Sequence, residues 1–577
     1  MDFKCTGRLP HISNNYLYDI LLERGIDNPS DYLNVDKTSI TPFDTLDNII
    51  EAGNKLIEVI NNVNNPNILI TVDSDVDGYT SAAIMYSYLK QSIKKDISLH
   101  YLIHDGKQHG IDDLLEQIKD ILPDILIIPD ASSSELEEHK IISKICPIIV
   151  LDHHQSDVVN DEYAIRVNNQ LSENFSNKTL CGAGIVYKFC QCLDSLLNIN
   201  NADNYLDLVA VALVADMMDL RNPETHYLVK TGLKNIKNSG LKAFVNAMGY
   251  SLGGRTELVP VDVAFYIAPY INAVIRVGTQ DIKKCVFEAL IDGDRIVQST
   301  KRGAKAGEIE ILGEQAARVA KNAKALQQRL VDKAMDALEA KIFKYDLLEN
   351  KIILIPVNEE DDIHPSLTGL IAMKIAAKYH HPTLILRECD DGVLKGSIRD
   401  EGNTAMGGFK EYLEDTDMFE YVQGHSSAAG AGISECKIDG FIKFSNEQLK
   451  DVDFNSKAYP VDYIFNYNED FTELIFDIDK GKEIWGQGVA EPTIAVKDIV
   501  LSKDDIVIMK NNCMKFNYNG ISYVIFKNEQ AINDFTEHDK FYVTVYGKGN
   551  VNEWCGKLTP QFLINAYSIS KAGKYIF

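Results

Sequence analysis

The chain has 577 residues, enough for two or more hydrophobic cores, and its 45% apolar and 25% charged content is that of a globular protein. Its 58 basic and 84 acidic residues give a net charge of −26, which excludes a protein that coats nucleic acid by bulk positive charge. With no run of 18 uncharged apolar residues and no signal-peptide core at Met1–Lys4, neither a membrane span nor secretion is expected, and the ten cysteines, with Cys190 and Cys192 the one close pair, read as reduced cytoplasmic thiols.

The first 60 residues are predicted to be a helical lead-in, with a helix over Tyr16–Glu23. From Asn67 short apolar runs alternate with amphipathic segments. Strands are predicted at Asn67–Asp73, Ile97–Ile103, Asp124–Asp130 and Pro147–Asp152, and helices at Tyr79–Gln91, Ile111–Leu122 and Ser133–Lys144. This alternation indicates a parallel sheet. An apolar helix over Tyr205–Leu220 follows, then further helix to about Gln298. Glu314–Phe343 has neither Gly nor Pro, and 30 helical residues would span about 45 Å. Around it, Lys301–Lys344 carries ten basic and six acidic side chains, a local excess in an acidic chain. Lys351–Pro356, Leu367–Tyr379 and Thr383–Leu386 restart an α/β pattern, and beyond about residue 457 short strands separated by Asn, Gly and Asp turns predict a small all-β module.

The chemistry concentrates at the ends of the predicted strands. Asp73-Ser74-Asp75-Val76-Asp77-Gly78 has the alternating acids of a calcium loop, but Ile84 stands where such a loop needs a bidentate Glu, and a strand precedes it instead of a helix. Asp130 ends the third strand and Asp152-His153-His154 the fourth. Ligands in open α/β sheets bind outside the carboxyl ends of strands, so these residues are expected in one crevice. Asp216, set in a very apolar helix, needs a compensating partner, and a metal ion supplies one. Carboxylates with one or two imidazoles suit Mn²⁺ or Mg²⁺, and this many acids point to two ions bridged by Asp130.

These residues resemble the motifs of the DHH phosphoesterase superfamily and, within it, the RecJ-type single-strand-specific exonucleases. The resemblance extends to Tyr205–Asp216, to Pro269–Arg276, to Lys395–Arg399 and Gly424–Gly430, which are similar to a DHHA1 domain, and to Trp485–Pro492, similar to the entry of an oligonucleotide-binding (OB) barrel. It implies a lead-in (1–60), a parallel-sheet DHH catalytic domain (61–300), a connecting helix (301–345), a second α/β DHHA1 domain (346–456) and an OB-like β-barrel (457–577). It also implies that Asp75, Asp77, Asp130, His153 and Asp216 are metal ligands, with Asp73 joining or supporting them. His154 would contact the scissile phosphate, Asp152 would orient the histidines, and Asn272, Arg276, Arg399, Gly424 and His425 would bind substrate. Three positions depart from the family pattern: Ile275, Gln423 and Ser132, the first and last where glycine is usual and Gln423 where the loop has its first glycine.

The implied activity is hydrolysis of single-stranded DNA 5′→3′ to mononucleotides by metal-activated water, in DNA recombination, repair or replication. The implied enzyme is a cytoplasmic monomer, with a single-strand-binding protein as a partner. Alternatives are a DHH phosphodiesterase for short oligonucleotides or cyclic dinucleotides, and a non-catalytic DHH scaffold. The extra residues from 457 onward weigh against the first and the retained acids against the second.

Overall fold

The structure is a computed structural model that describes residues 9, 15–158, 160–389, 391–401, 406–454, 461–554 and 556–571. The chain divides into two compact units, one of Met1–Ile271, Lys284–Ala317 and Ala458–Phe577, the other of Asn272–Lys283 and Arg318–Lys457.

In the first unit β1 (Asn67–Val72), β2 (Ser98–Ile103), β3 (Ile125–Pro129), β4 (Ile148–Asp152) and β5 (Ile165–Asn168) form a parallel sheet in the order β2-β1-β3-β4-β5. β3 and β4 are buried along their whole length, as expected of parallel strands covered on both faces. Leu126, Ile128, Ile148 and Val150 pack with Ile118 and Ile142, from the helices Leu115–Ile121 and Leu136–Ile142. The strand order reverses between β1 and β3, and at such a switch point the outgoing loops diverge and leave a crevice. The acidic turn after β1 and Asp130 after β3 both leave the sheet there.

Several predicted boundaries are corrected. The apolar helix covers Leu206–Ala215 and stops before Asp216, which caps its C-terminus instead of lying inside it. The helical stretch beyond it is broken into Pro223–Lys234, Ser239–Ala247, Ala268–Val277 and Gln280–Asp292. Asn222 and Asn238 start two of these, their side chains accepting from amides of the first turn. β5 was not anticipated; nor was the antiparallel pair β6 (Ile296–Gln298) and β7 (Ile309–Ile311). The long helix is present as Leu312–Lys344, 33 residues, and the chain passes from one unit to the other within it.

The second unit holds β8 (Ile353–Val357), β9 (Thr383–Arg387), β10 (Val393–Arg399), β11 (Phe419–His425) and β12 (Ala428–Ser434), in the order β11-β12-β10-β9-β8 with only β8 and β9 parallel. Alternation decides its two faces: Ile353, Ile355 and Val357 pack with Val331, Leu338 and Ile371, while Leu354, Leu384 and Leu386 pack with Phe409, Leu413 and Phe441.

The C-terminal residues form β13 (Tyr463–Asn466), β14 (Ile494–Leu501), β15 (Val507–Met509), β16 (Cys513–Tyr518), β17 (Ile521–Ile525), β18 (Phe541–Trp554) and β19 (Lys557–Lys571), one sheet in the order β13-β14-β18-β19-β17-β16-β15. This sheet belongs to the first compact unit. The Leu220 amide donates to the Gln487 carbonyl at 2.9 Å and Arg24 pairs with Asp462 at 2.7 Å. Gly488, at φ +78, lies so close to Asp219 that a Cβ there would stand 2.0 Å from its Oδ1. Among the described residues no helix is long and apolar enough to cross a membrane.

Candidate metal centre

The β1 turn is built to hold carboxylates close together. Asp75 caps the helix Val76–Ser92, its Oδ1 accepting the Gly78 amide at 2.9 Å. Gly78 is needed because a Cβ there would meet Asp73 Cβ at 2.5 Å. Asp77 is buried against the start of the helix Gly182–Leu197 and accepts the amides of Gly182 at 2.6 Å and Ala183 at 2.8 Å. These orphan amides and the helix dipole stabilise a buried negative charge. Asp73 is likewise buried, and accepts from His109 Nδ1 at 2.6 Å and the Gly110 amide at 3.2 Å.

Asp130 and Asp216 differ from these. Asp130, at φ +64 and 1% exposed, has no hydrogen-bond donor on either carboxylate oxygen, and Asp216 has none on Oδ2. His153 Nε2 stands 3.3 Å from Asp130, 3.5 Å from Asp216 and 3.8 Å from Asp77. Burial, then the charges of Asp77 and Asp75, push Asp216 up to about 8; burial and the same two neighbours raise Asp130 well above the usual carboxylate range. Without a cation beside them such carboxylates hold protons, and with one they are a ready donor set.

Donor atoms of Asp77, His153 and Asp216 lie within 4.8 Å of one another, as do those of Asp73, Asp75 and Asp130. Asp130, Asp152, His153 and His154 form a third such set. Hard oxygen donors with one imidazole fit a divalent ion such as Mn²⁺ or Mg²⁺. Cys181 is buried nearby, and burial followed by the charge of Asp77 raises its thiol well above the ordinary value.

Asp152 accepts the amides of Ser133 (3.0 Å), His153 (2.7 Å) and His154 (3.2 Å) and the His154 ring at Nδ1 (2.8 Å). Its ring partner is therefore His154, while it holds His153 through the backbone. Burial opposes charge on both, but their hydrogen bond prevails. Asp152 is held below the usual carboxylate range and His154 is pushed up to about 9.

Sequence reasoning missed the residues that support this site. His109 lies in the loop after β2, on the carboxyl edge of the sheet but not at the strand end itself, so its position carried only a weak signal. The amides of Gly182 and Ala183 carried none, since a backbone N–H is the same in every non-proline residue.

The residues expected to bind substrate lie in the second unit. Asn272 and Arg276 are one turn apart on the helix Ala268–Val277 and so share a face. Burial and then Arg276 lower the Arg399 guanidinium, and burial, Arg276 and Lys374 lower Lys324. Four cations thus gather on this unit. Gly424 (φ +134) and His425 end β11 at the tip of a hairpin with β12, both exposed, so His425 sits in paired strand and not on an open loop. Of the departing positions, Ile275 is buried in its helix, Gln423 is exposed on β11, and Ser132 takes φ +82.

The family model described as the DHH family N-terminal domain matches residues 67–213, and the RecJ OB domain matches residues 461–566. YorK of Bacillus subtilis strain 168, prophage-derived and named for single-strand DNA-specific exonuclease activity, is 39% identical over 577 residues, spanning 98% of this chain and 97% of that one. RecJ of Haemophilus influenzae, a single-stranded-DNA-specific exonuclease by name, is 26% identical over 522 residues, 87% of this chain and 86% of its own. In fold, the crystal structure of Thermus thermophilus RecJ in complex with Mn²⁺ matches 99% of this chain and 80% of its own, with a TM-score of 0.73 at 20% identity.

Proposed function

The chain belongs to the RecJ-type family of single-strand-DNA-specific exonucleases, and on that premise we propose that it is a metal-dependent hydrolase that shortens single-stranded DNA from the 5′ end, releasing mononucleotides. One observation carries this reading: His153 Nε2 lies within 3.8 Å of three carboxylates, among them Asp130, whose buried oxygens have no hydrogen-bond donor. Leaving such charge uncompensated is costly, so the arrangement makes sense as a cation cage.

Two ions, Mn²⁺ or Mg²⁺, would be held by Asp77, His153 and Asp216 and by Asp73, Asp75 and Asp130, with Asp130, 3.3 Å from His153, joining the two sets. Bound there, they supply Lewis-acid polarisation of the phosphoryl group and activation of water. The chain's own residues do the rest. His154, oriented by the contact of its Nδ1 with Asp152, turns Nε2 toward a phosphate oxygen. Arg276 and Arg399 grip backbone phosphates as planar bidentate donors, with Asn272 beside Arg276, and Gly424 and His425 add contacts at the hairpin tip. The C-terminal sheet gives a long strand more surface than a dinucleotide can use, which favours a polymer substrate over a short one.

The test is digestion of a long single strand labelled at either end, with and without Mn²⁺, by the parent and by Asp130→Asn. Labelled mononucleotide should appear first from the 5′ end, only with metal and only with the parent. Release first from the 3′ end would overturn the polarity, and faster turnover of a dinucleotide than of the long strand would overturn the substrate.

A further inference from the structure

A second cluster of buried polar groups lies beside the Asp130 turn and is not used by the chemistry above. Ser132, two residues past Asp130, takes φ +82, a left-handed conformation that favours glycine. Its hydroxyl lies between two partners, the Glu135 carboxyl and His139 Nε2, the latter at 3.1 Å. His139 is wholly buried, and its Nδ1 is 2.6 Å from Asp161 Oδ2. Asp161 also accepts the amides of Tyr163 (2.8 Å) and Ala164 (3.2 Å), which fixes it in the loop after β4.

Glu135 reaches the other way. It accepts the Ile111 amide at 2.9 Å and lies so close to Gly110 that a Cβ there would stand 2.2 Å from its Oε1. Gly110, at φ +79, donates to Asp73. Hydrogen bonds, joined through the Gly110–Ile111 peptide, therefore tie the loop after β4, the turn after β3 and the loop after β2 to the acid that ends β1.

Asp161, next to the ring, accepts from His139 Nδ1. The Ser132 hydroxyl donates to the Glu135 carboxyl, and the same hydroxyl oxygen meets His139 Nε2. Burial raises the Glu135 carboxyl against the Ser132 and Ile111 hydrogen bonds that lower it, and burial lowers the His139 imidazole. The Ser-His-Asp order is that of a hydrolytic triad, but here the hydroxyl is buried and engaged on both sides. It is a brace.

We propose that Glu135, Ser132, His139 and Asp161 form a positioning network that holds Asp130 in the cation cage by locking three strand-end loops together, so that hydrogen bonds do at position 132 what glycine would do by conformational freedom. This rests on the reading of Asp130 as a metal ligand.

Mn²⁺ affinity of the full chain, measured by electron paramagnetic resonance without DNA, tests both, with circular dichroism to report folding. Ser132→Ala keeps the unfavourable φ and loses the brace, and should bind Mn²⁺ about tenfold more weakly, as should Glu135→Ala. Ser132→Gly relieves the backbone, and Glu135→Gln keeps an acceptor oxygen for Ser132 and Ile111; each should recover most of the affinity. Parent-like binding by folded Glu135→Ala overturns the network whatever Ser132→Ala does, as does a Ser132→Gly variant no better than Ser132→Ala. Parent-like binding by Asp130→Asn would instead sink the metal-centre reading itself.

Discussion

A methyl group on Gly182 would stand 2.3 Å from Asp130 Oδ1, and one on Gly78 would stand 2.6 Å from the Asp73 carbonyl oxygen. The two glycines should fail differently. Gly182→Ala meets a side chain, so Asp130 moves and the protein stays folded. A displacement of about 1 Å should cost about 100-fold in nuclease rate with little change in melting temperature. Gly78→Ala meets backbone, and overpacking should cost about 1–3 kcal/mol in denaturant titrations as well as activity.

A third residue sets acid stability. His226 is fully buried and stacked on Tyr32 with ring centroids 4.0 Å apart, and burial followed by the charge of Lys230 pushes its imidazole from 6.5 down to about 3. The unfolded chain takes up this proton below about pH 6.5 and the folded chain only near pH 3. Stability present above pH 6.5 is therefore lost as pH falls toward 3, by up to about 1.4 kcal/mol per pH unit. His226→Phe keeps the stack and should flatten that loss in denaturation curves between pH 6.5 and 4.5. None of this was legible in the sequence, where a lone histidine in an amphipathic helix carries no mark of its neighbours.

The helix Leu206–Ala215 shows what an element adds. Its end is set by backbone: the Met218 amide donates to Leu213 and the Met217 amide to Val214, with Met217 at φ +57. This is the closing motif that usually carries glycine at the left-handed position. With methionine there, the apolar run Val214–Leu220 read as unbroken helix, and Asp216 was expected inside it. The motif turns the chain so that Asp216 faces His153. Met217→Gly should remove about 1 kcal/mol of left-handed strain and raise the unfolding midpoint. The strand ends, by contrast, were legible. Asp73, Asp130 and Asp152 each close an apolar run too short for a buried helix, and parallel strands put their carboxyl ends on one side.

At the scale of the whole molecule, charge and docking matter most. The chain carries −26 overall, yet Arg276, Lys324, Lys374 and Arg399 lie near enough on the second unit to perturb one another. Arg399→Ala should raise KM for long single strands and make it less sensitive to salt, by about 0.7 in log–log slope for each phosphate no longer neutralised. The C-terminal sheet read as a separate module, but Leu220, Arg24 and Gly488 join it to the first compact unit. Removing residues 458–577 should therefore lower the melting temperature along with long-strand activity.

By itself the sequence determined the strands β1 to β4, the long helix, the acids at the strand ends and the motifs of the DHH and OB portions, because hydrophobic period and side-chain type are local properties. Only the tertiary structure decided which acids are hydrogen-bonded and which are left bare, that serine at position 132 is braced by Glu135 and His139, and that the C-terminal sheet is built into the first unit. Those outcomes depend on backbone amides and left-handed turns brought together from distant parts of the chain, and no residue type encodes them alone.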